Sequence, residues 1–175
     1  TSGQLLVRRT DPDGLVTEYD YDGYGRLIQV THPSLGVNGF QYGYDAQGNR
    51  TSVTDPLGKT TTFTYDALGN MTSTTNALNQ TTTMTHDDLG RVVTVTDPLN
   101  NTTEYEYIDS TCGCGGTGKL ARITDALNNV TEFEYDLAGN MILTRDALNR
   151  ETAYEYDALN RMTAIEAPAG SNKRM

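Results

Sequence analysis

The chain has 175 residues, with 13 basic and 23 acidic side chains and a formal charge of −10. It contains no Trp, three Phe and eleven Tyr, and its 28 Thr, 17 Gly and 13 Asn stand against three Lys. The length fits one domain, in which a compact fold buries about 70% of the unfolded surface. Scarce helix formers beside abundant Thr, Tyr, Gly and Asn favour strands joined by turns over a helical bundle. Without a cluster of Lys or Arg there is no footprint for phosphate counterion release, so nucleic acid and anionic membrane surfaces are poor partners. No run of 18 apolar residues is present, which leaves no membrane-spanning helix in this segment. Cys112 and Cys114, one residue apart, cannot make a disulfide framework. The start at Thr1 is not a signal peptide, and the two ends read as cuts in something longer.

A fixed period organises the chain. In chain order the anchors are Tyr21-Asp22, Tyr44-Asp45, Tyr65-Asp66, His86-Asp87, Tyr107, Tyr135-Asp136 and Tyr156-Asp157. Their spacing is 21 residues, except for 23 from Tyr21 to Tyr44 and 28 from Tyr107 to Tyr135. A second series keeps step: Thr10-Asp11-Pro12, Thr31-His32-Pro33, Thr54-Asp55-Pro56, Thr75-Asn76-Ala77, Thr96-Asp97-Pro98, Thr124-Asp125-Ala126 and Arg145-Asp146-Ala147. The odd intervals are therefore insertions of two and seven residues, the longer being the Cys/Gly-rich loop at 110–116. The domain organisation read from this is a single array over 1–175 of about seven units.

Each period holds two turns of one chemistry, as in Asp55-Pro56-Leu57-Gly58 and Asp66-Ala67-Leu68-Gly69. Asp at the first position accepts bonds from the amides ahead of it, Pro sets φ at the second, and Gly at the fourth tolerates the left-handed region. Asn79, Asn100, Asn128, Asn149 and Asn160 replace that Gly, and Asn is the other residue that visits the region cheaply. Hairpin turns followed by a bulge are predicted. Between turns lie strands with period-two alternation: Thr103-Glu104-Tyr105-Glu106-Tyr107, Glu132-Phe133-Glu134-Tyr135 and Thr152-Ala153-Tyr154-Glu155-Tyr156. Two such strands per 21 residues leave no room for a helix. The units should join as one antiparallel sheet, with Tyr, Phe and aliphatic residues on one face and Thr and Glu on the other. Leu recurs at the third turn position (Leu57, Leu68, Leu78, Leu89, Leu99, Leu127, Leu148 and Leu159), and its recurrence predicts that neighbouring turns stack and bury it.

Tyr65-Asp66-Ala67-Leu68-Gly69-Asn70, Tyr21-Asp22-Gly23-Tyr24-Gly25-Arg26-Leu27 and Thr54-Asp55-Pro56-Leu57-Gly58-Lys59-Thr60-Thr61 resemble the YD repeats of the Rhs family. That family includes bacterial Rhs toxins, the C components of insecticidal toxin complexes, wall-associated proteins and teneurins. The resemblance spans about residues 8 to 168. It implies a curved, spiralling sheet of hairpins forming part of a hollow shell that encapsulates or displays a C-terminal toxin or effector. It also implies a secreted or cell-surface location. Family toxins carry, after the repeats, a core-associated segment with Asp-Pro-x-Gly motifs and a self-cleaving Asp pair; here Asp-Pro occurs only inside ordinary turns, so cleavage is not carried over.

Chemistry-bearing residues are few. Cys112-Gly113-Cys114 offers two thiolates where zinc takes four ligands, and reads as a loop insertion with incidental or structural thiols. Glu104/Glu106, Glu132/Glu134 and Glu18/Asp20 recur with the repeat and read as a solvated strand face, since a catalytic pair is unique to one pocket. Turn aspartates supply too few oxygens for calcium and are expected to cap turns. His86 stands at an anchor and His32 at a turn Asp, both as tolerated variants. Asn-x-Thr sequons at Asn49, Asn70, Asn79, Asn101 and Asn129 follow from the repeat. The expectation is an all-β, non-catalytic structural segment with no catalytic, cofactor-binding or metal residue. Its expected partners are neighbouring repeats and an enclosed effector, with edge-to-edge self-association of the isolated strip. The alternative is an adhesion module whose Tyr-bearing face stacks on glycans.

Overall fold

The structure is a computed structural model that describes residues 5–35, 39–109 and 118–167. Fifteen strands follow chain order: β1 (Leu5–Thr10), β2 (Val16–Tyr21), β3 (Leu27–Thr31), β4 (Phe40–Tyr44), β5 (Arg50–Thr54), β6 (Thr60–Tyr65), β7 (Met71–Thr75) and β8 (Thr81–His86). They continue with β9 (Val92–Thr96), β10 (Thr102–Tyr107), β11 (Leu120–Thr124), β12 (Val130–Tyr135), β13 (Met141–Arg145), β14 (Glu151–Tyr156) and β15 (Met162–Glu166). Each strand is hydrogen-bonded to its neighbours in sequence, so the order in the sheet is the order in the chain. Contacts divide the chain into two units, 1–84 and 85–175.

The predicted turn chemistry sets this topology. In each regular turn the fourth residue donates its amide to the first residue's carbonyl, as Gly58 does to Asp55 at 2.9 Å. The first residue's amide then donates to the fifth residue's carbonyl, as Asp55 does to Lys59 at 2.9 Å. This is a type I turn closed by a left-handed residue, the three-residue hairpin with a G1 bulge. The Asn residues predicted to replace Gly all take positive φ, from 56° at Asn149 to 63° at Asn100. A register shift follows the penultimate residue of β2, β4, β6, β10, β12 and β14, next to each Tyr anchor. The two-residue insertion opens the β3–β4 connection, which carries a 3-10 turn at Pro33–Leu35. There Gly39 presses its backbone onto the Val30 carbonyl, with no room for a Cβ.

Alternation places side chains as predicted, with Phe63 and Tyr65 half-buried while Thr62 and Thr64 are exposed. Within each unit the strands form a single layer. Among the described residues Gly39 alone is buried, and no side chain is enclosed. One expectation fails here. The turn leucines are not packed: Leu57 is 81% exposed, Leu99 80% and Leu159 71%. The third turn position projects away from the sheet, and these hairpins offer no second layer to cover it.

Candidate functional site

The turn carboxylates are spent on structure. Oδ1 of Asp97 accepts the amides of Leu99 (2.8 Å) and Asn101 (2.9 Å), and Oδ2 accepts Asn101 Nδ2 at 2.8 Å. Asp125 repeats this with Leu127 and Asn129. In other turns the fifth residue is Arg, and its Nε takes the Oδ2 contact: Arg91 to Asp87, Arg150 to Asp146 and Arg161 to Asp157, at 2.6–2.7 Å. The side-chain amide of Asn101, followed by its backbone amide, holds the Asp97 carboxyl below its ordinary range, and Asn129 does the same to Asp125. At Asp146 and Asp157 the first cause is the Arg side chain. Sequence reasoning missed this fifth position, although the recurrence of Asn or Arg there was a visible signal. It also reassigns the sequon residues Asn49, Asn70, Asn101 and Asn129, whose side-chain amides are tied to a turn carboxylate.

The anchor Tyr has a definite task. Tyr65 donates its hydroxyl to the Arg50 carbonyl at 2.8 Å, Tyr107 to Val92 at 2.9 Å and Tyr156 to Met141 at 3.0 Å, while Tyr44 reaches Leu27 at 2.8 Å. Each thereby satisfies the carbonyl at the start of the preceding strand, just past its bulged turn. Cations from that preceding turn lie on the rings: Arg26 on Tyr44 at 4.8 Å, Arg91 on Tyr107 at 4.4 Å and Lys119 on Tyr135 at 5.2 Å. Arg26 also donates to the Asp45 carbonyl at 2.9 Å, which links the two successive turns. Burial raises the Tyr135 hydroxyl above its ordinary value. His86, the variant anchor, has a buried Nδ1 without a partner.

His32 performs the work of the Asp it replaces. Its Nδ1 accepts the Ser34 amide at 3.1 Å, two residues on, as Asp Oδ1 does elsewhere. The Ser34 hydroxyl lies 2.6 Å from the same nitrogen, and Asp11 Oδ2 lies 3.8 Å from Nε2. The Nε2–Asp11 separation is longer than a hydrogen bond, and Nδ1 already serves the backbone, so the group caps a turn.

The paired carboxylates are more engaged than a freely solvated face. Glu18 pairs with Arg8 at 2.8 Å. Glu132 lies between Arg122 (2.9 Å) and Arg145 (2.8 Å), and Arg145 also reaches Glu151 at 2.8 Å. The Arg122 side chain, then that of Arg145, holds Glu132 below its ordinary value. Glu106 stands 3.5 Å from Arg122, and Glu104 is exposed. A shallow pocket beside this network, lined by Arg122, Asn129, Glu132, Arg145 and Asp146, has its guanidinium groups already paired. Cys112 and Cys114 lie outside the described residues. Among the described residues no group of three or more His, Cys, Asp or Glu is placed to hold a metal ion. What the arrangement offers chemically is two extended faces, one polar and one carrying aromatic rings.

A family model described as RHS Repeat matches residues 1–35, 44–81, 86–111, 116–149 and 142–171. No curated protein matches the chain. Among solved structures, the TcdB2-TccC3 crystal structure is 17% identical with a TM-score of 0.47, covering 96% of this chain and 14% of that one. The Tc holotoxin pore of Photorhabdus luminescens is 15% identical with a TM-score of 0.41, covering 93% and 13%. The chain thus spans about a seventh of the length of these toxin-complex chains.

Proposed function

The chain belongs to the RHS repeat family, and from that premise we propose that it is a strip of a larger β-shell that encloses a C-terminal effector. Its role is structural and non-catalytic, within a secreted or cell-surface protein of bacteria. The observation that carries this reading is the form of the sheet: hairpins in chain order, a single layer within each unit, with β1 and β15 each paired on one side only. Such a strip buries little by itself and gains stability from further units added at its edges. The exposures fit, with Leu6 at 43% in β1 and Ile165 at 60% in β15. Neighbouring repeats of the same polypeptide are the natural partners of those edges.

The test uses the full-length protein that contains this strip. The segment following the repeats should resist protease in the intact polypeptide and become sensitive when residues 1–175 are deleted. Equal sensitivity in both would remove the enclosing role.

A second reading, adhesion to glycans, is favoured by one observation: half-buried aromatic residues recur on one face of every even-numbered strand except β8. Rings at regular intervals on an uncovered sheet can stack on sugar faces.

A further inference from the structure

Two residues before each anchor stands another large side chain. The first unit has Tyr19, Tyr42 and Phe63, the second has Tyr105, Phe133 and Tyr154, and Met84 interrupts the series. The four anchor hydroxyls of Tyr44, Tyr65, Tyr107 and Tyr156 are committed to backbone carbonyls. Among the described residues, by contrast, no hydrogen bond ties the hydroxyls of Tyr105 or Tyr154, and no cation covers their rings or that of Phe133. In the first unit Arg50 lies 5.5 Å over Phe63 and covers the last ring of that row, which leaves only two rings open. The open row is therefore Tyr105, Phe133 and Tyr154.

Its geometry is set by the sheet. β10, β12 and β14 are alternate strands, so the rings recur at roughly 9.5 Å, twice the interstrand spacing. Directly opposite these half-buried rings in register are Ile123, Thr144 and Ile165, which carry no charge into the row. That interval is close to the two-sugar repeat of an extended β-1,4-linked hexose chain. In such a chain every second sugar presents the same apolar face, so each ring meets an equivalent surface. The charge of −10, with no basic cluster, disfavours sulfated or uronic acid polymers and leaves a neutral one.

We propose that the Tyr105–Phe133–Tyr154 row binds a neutral β-1,4-linked hexose polymer, of the cellulose or chitin class, lying across the strands. This rests on the adhesion reading and gives it a substrate class. Contact is made by ring stacking, and the polar Glu/Arg face takes no part.

The experiment incubates the full chain with microcrystalline cellulose and, separately, with chitin beads, and measures depletion from solution. Retention on at least one polymer, unchanged by high salt, is expected. Phe133→Ala and Tyr154→Ala should each weaken it about tenfold, the scale of one lost stacking contact. Tyr105→Trp, which keeps a ring and guards against mere unfolding, should retain binding, and Glu104→Gln on the opposite face should leave it unchanged. No retention on either polymer, retention that survives both Ala variants, or loss in high salt overturns the proposal. Binding only to short or anionic glycans in a soluble panel would leave adhesion standing and sink this assignment. No binding to anything sinks both.

Discussion

Strands β5–β8 and strands β10–β14 share register and turn chemistry but carry different polar faces. In the first region the face is made of hydroxyls: Ser52, Thr54, Thr60, Thr62, Thr64, Ser73, Thr75, Thr81 and Thr83. They bond to one another across strands, Thr54 to Thr60 at 2.9 Å and Thr75 to Thr81 at 2.8 Å. In the second region the matching positions hold Glu106, Arg122, Glu132, Arg145 and Glu151, joined by ion pairs. Either chemistry supplies cross-strand pairs, which are the unit of sheet stabilisation. The difference teaches that the backbone path is fixed by turns and anchors, while the faces between them are free to vary.

If that is right, damage to a turn should cost the same in either region. Asn79→Ile and Asn149→Ile force a β-branched residue to φ 58° and 56°, and each should lose about 1–2 kcal/mol. Asn79→Gly and Asn149→Gly should cost little, because glycine adopts that conformation without strain. Denaturant unfolding checks the four variants, and a large Ile cost in only one region would break the comparison. Next in size, Tyr65→Phe and Tyr156→Phe remove a hydroxyl bonded at 2.8 and 3.0 Å and leave a carbonyl unserved. Each should lose about 1 kcal/mol. Equal losses sharpen the view that anchors serve the backbone and not a face.

These same features mark what was legible in the sequence. A positive-φ Asn or Gly reflects a purely local backbone demand, so Asn79 and Asn100 could be placed without any structure. The strand pattern was legible for the same reason, since period two is also local. The Tyr hydroxyl contacts were not, because Tyr65 and Arg50 are 15 residues apart and meet only through the register. The partner of each turn Asp went unread at its fifth position, where Asn and Arg look chemically unlike yet donate to the same oxygen. The leucines misled: their repetition signalled burial, but burial needs a second layer, and turn position says nothing about whether one is present. Of the candidate site, the aromatic face was legible, while the pairing of Glu132 between Arg122 and Arg145 needed the β11–β12–β13 register.

The faces should separate under solvent conditions. Salt screens exposed ion pairs and leaves hydroxyl contacts almost untouched. Amide exchange in β11–β14 should therefore accelerate at high salt, while that in β5–β7 holds. Arg145→Met should destabilise at low salt and lose most of that effect at high salt, whereas Thr75→Val should show no salt dependence. Acid should act on β10–β14, whose turns carry aspartates held below their ordinary value. Asp97, Asp125, Asp146 and Asp157 have folded values below the ordinary 3.8, so the folded state binds fewer protons than the unfolded one near that pH. Their stabilisation is complete above the unfolded value and is lost as pH falls through the folded values. An acid titration followed by circular dichroism should show unfolding below about pH 4. Exchange that quickens in β5–β8 before β10–β14 at that pH would show that these four carboxylates do not set the acid limit.

The smallest effect is expected where the sequence looked most insistent. Leu57 is 81% exposed and Leu148 73%, so Leu57→Ser and Leu148→Ser remove no packed surface and should shift stability by less than about 0.5 kcal/mol. The result matters because a repeated Leu at the third turn position has a rationale only if something covers it. In the isolated strip nothing does, and both regions should behave alike. In the full-length protein the same substitutions should cost more if further repeats lie against these turns, since burying a Leu side chain is worth about 1.5–3 kcal/mol. Measuring Leu57→Ser and Leu148→Ser in both contexts therefore maps which turn rows gain a neighbour. A cost that stays negligible in the full-length protein would mean that the rows remain open to solvent, and that the stacking expected from their repetition is absent there too.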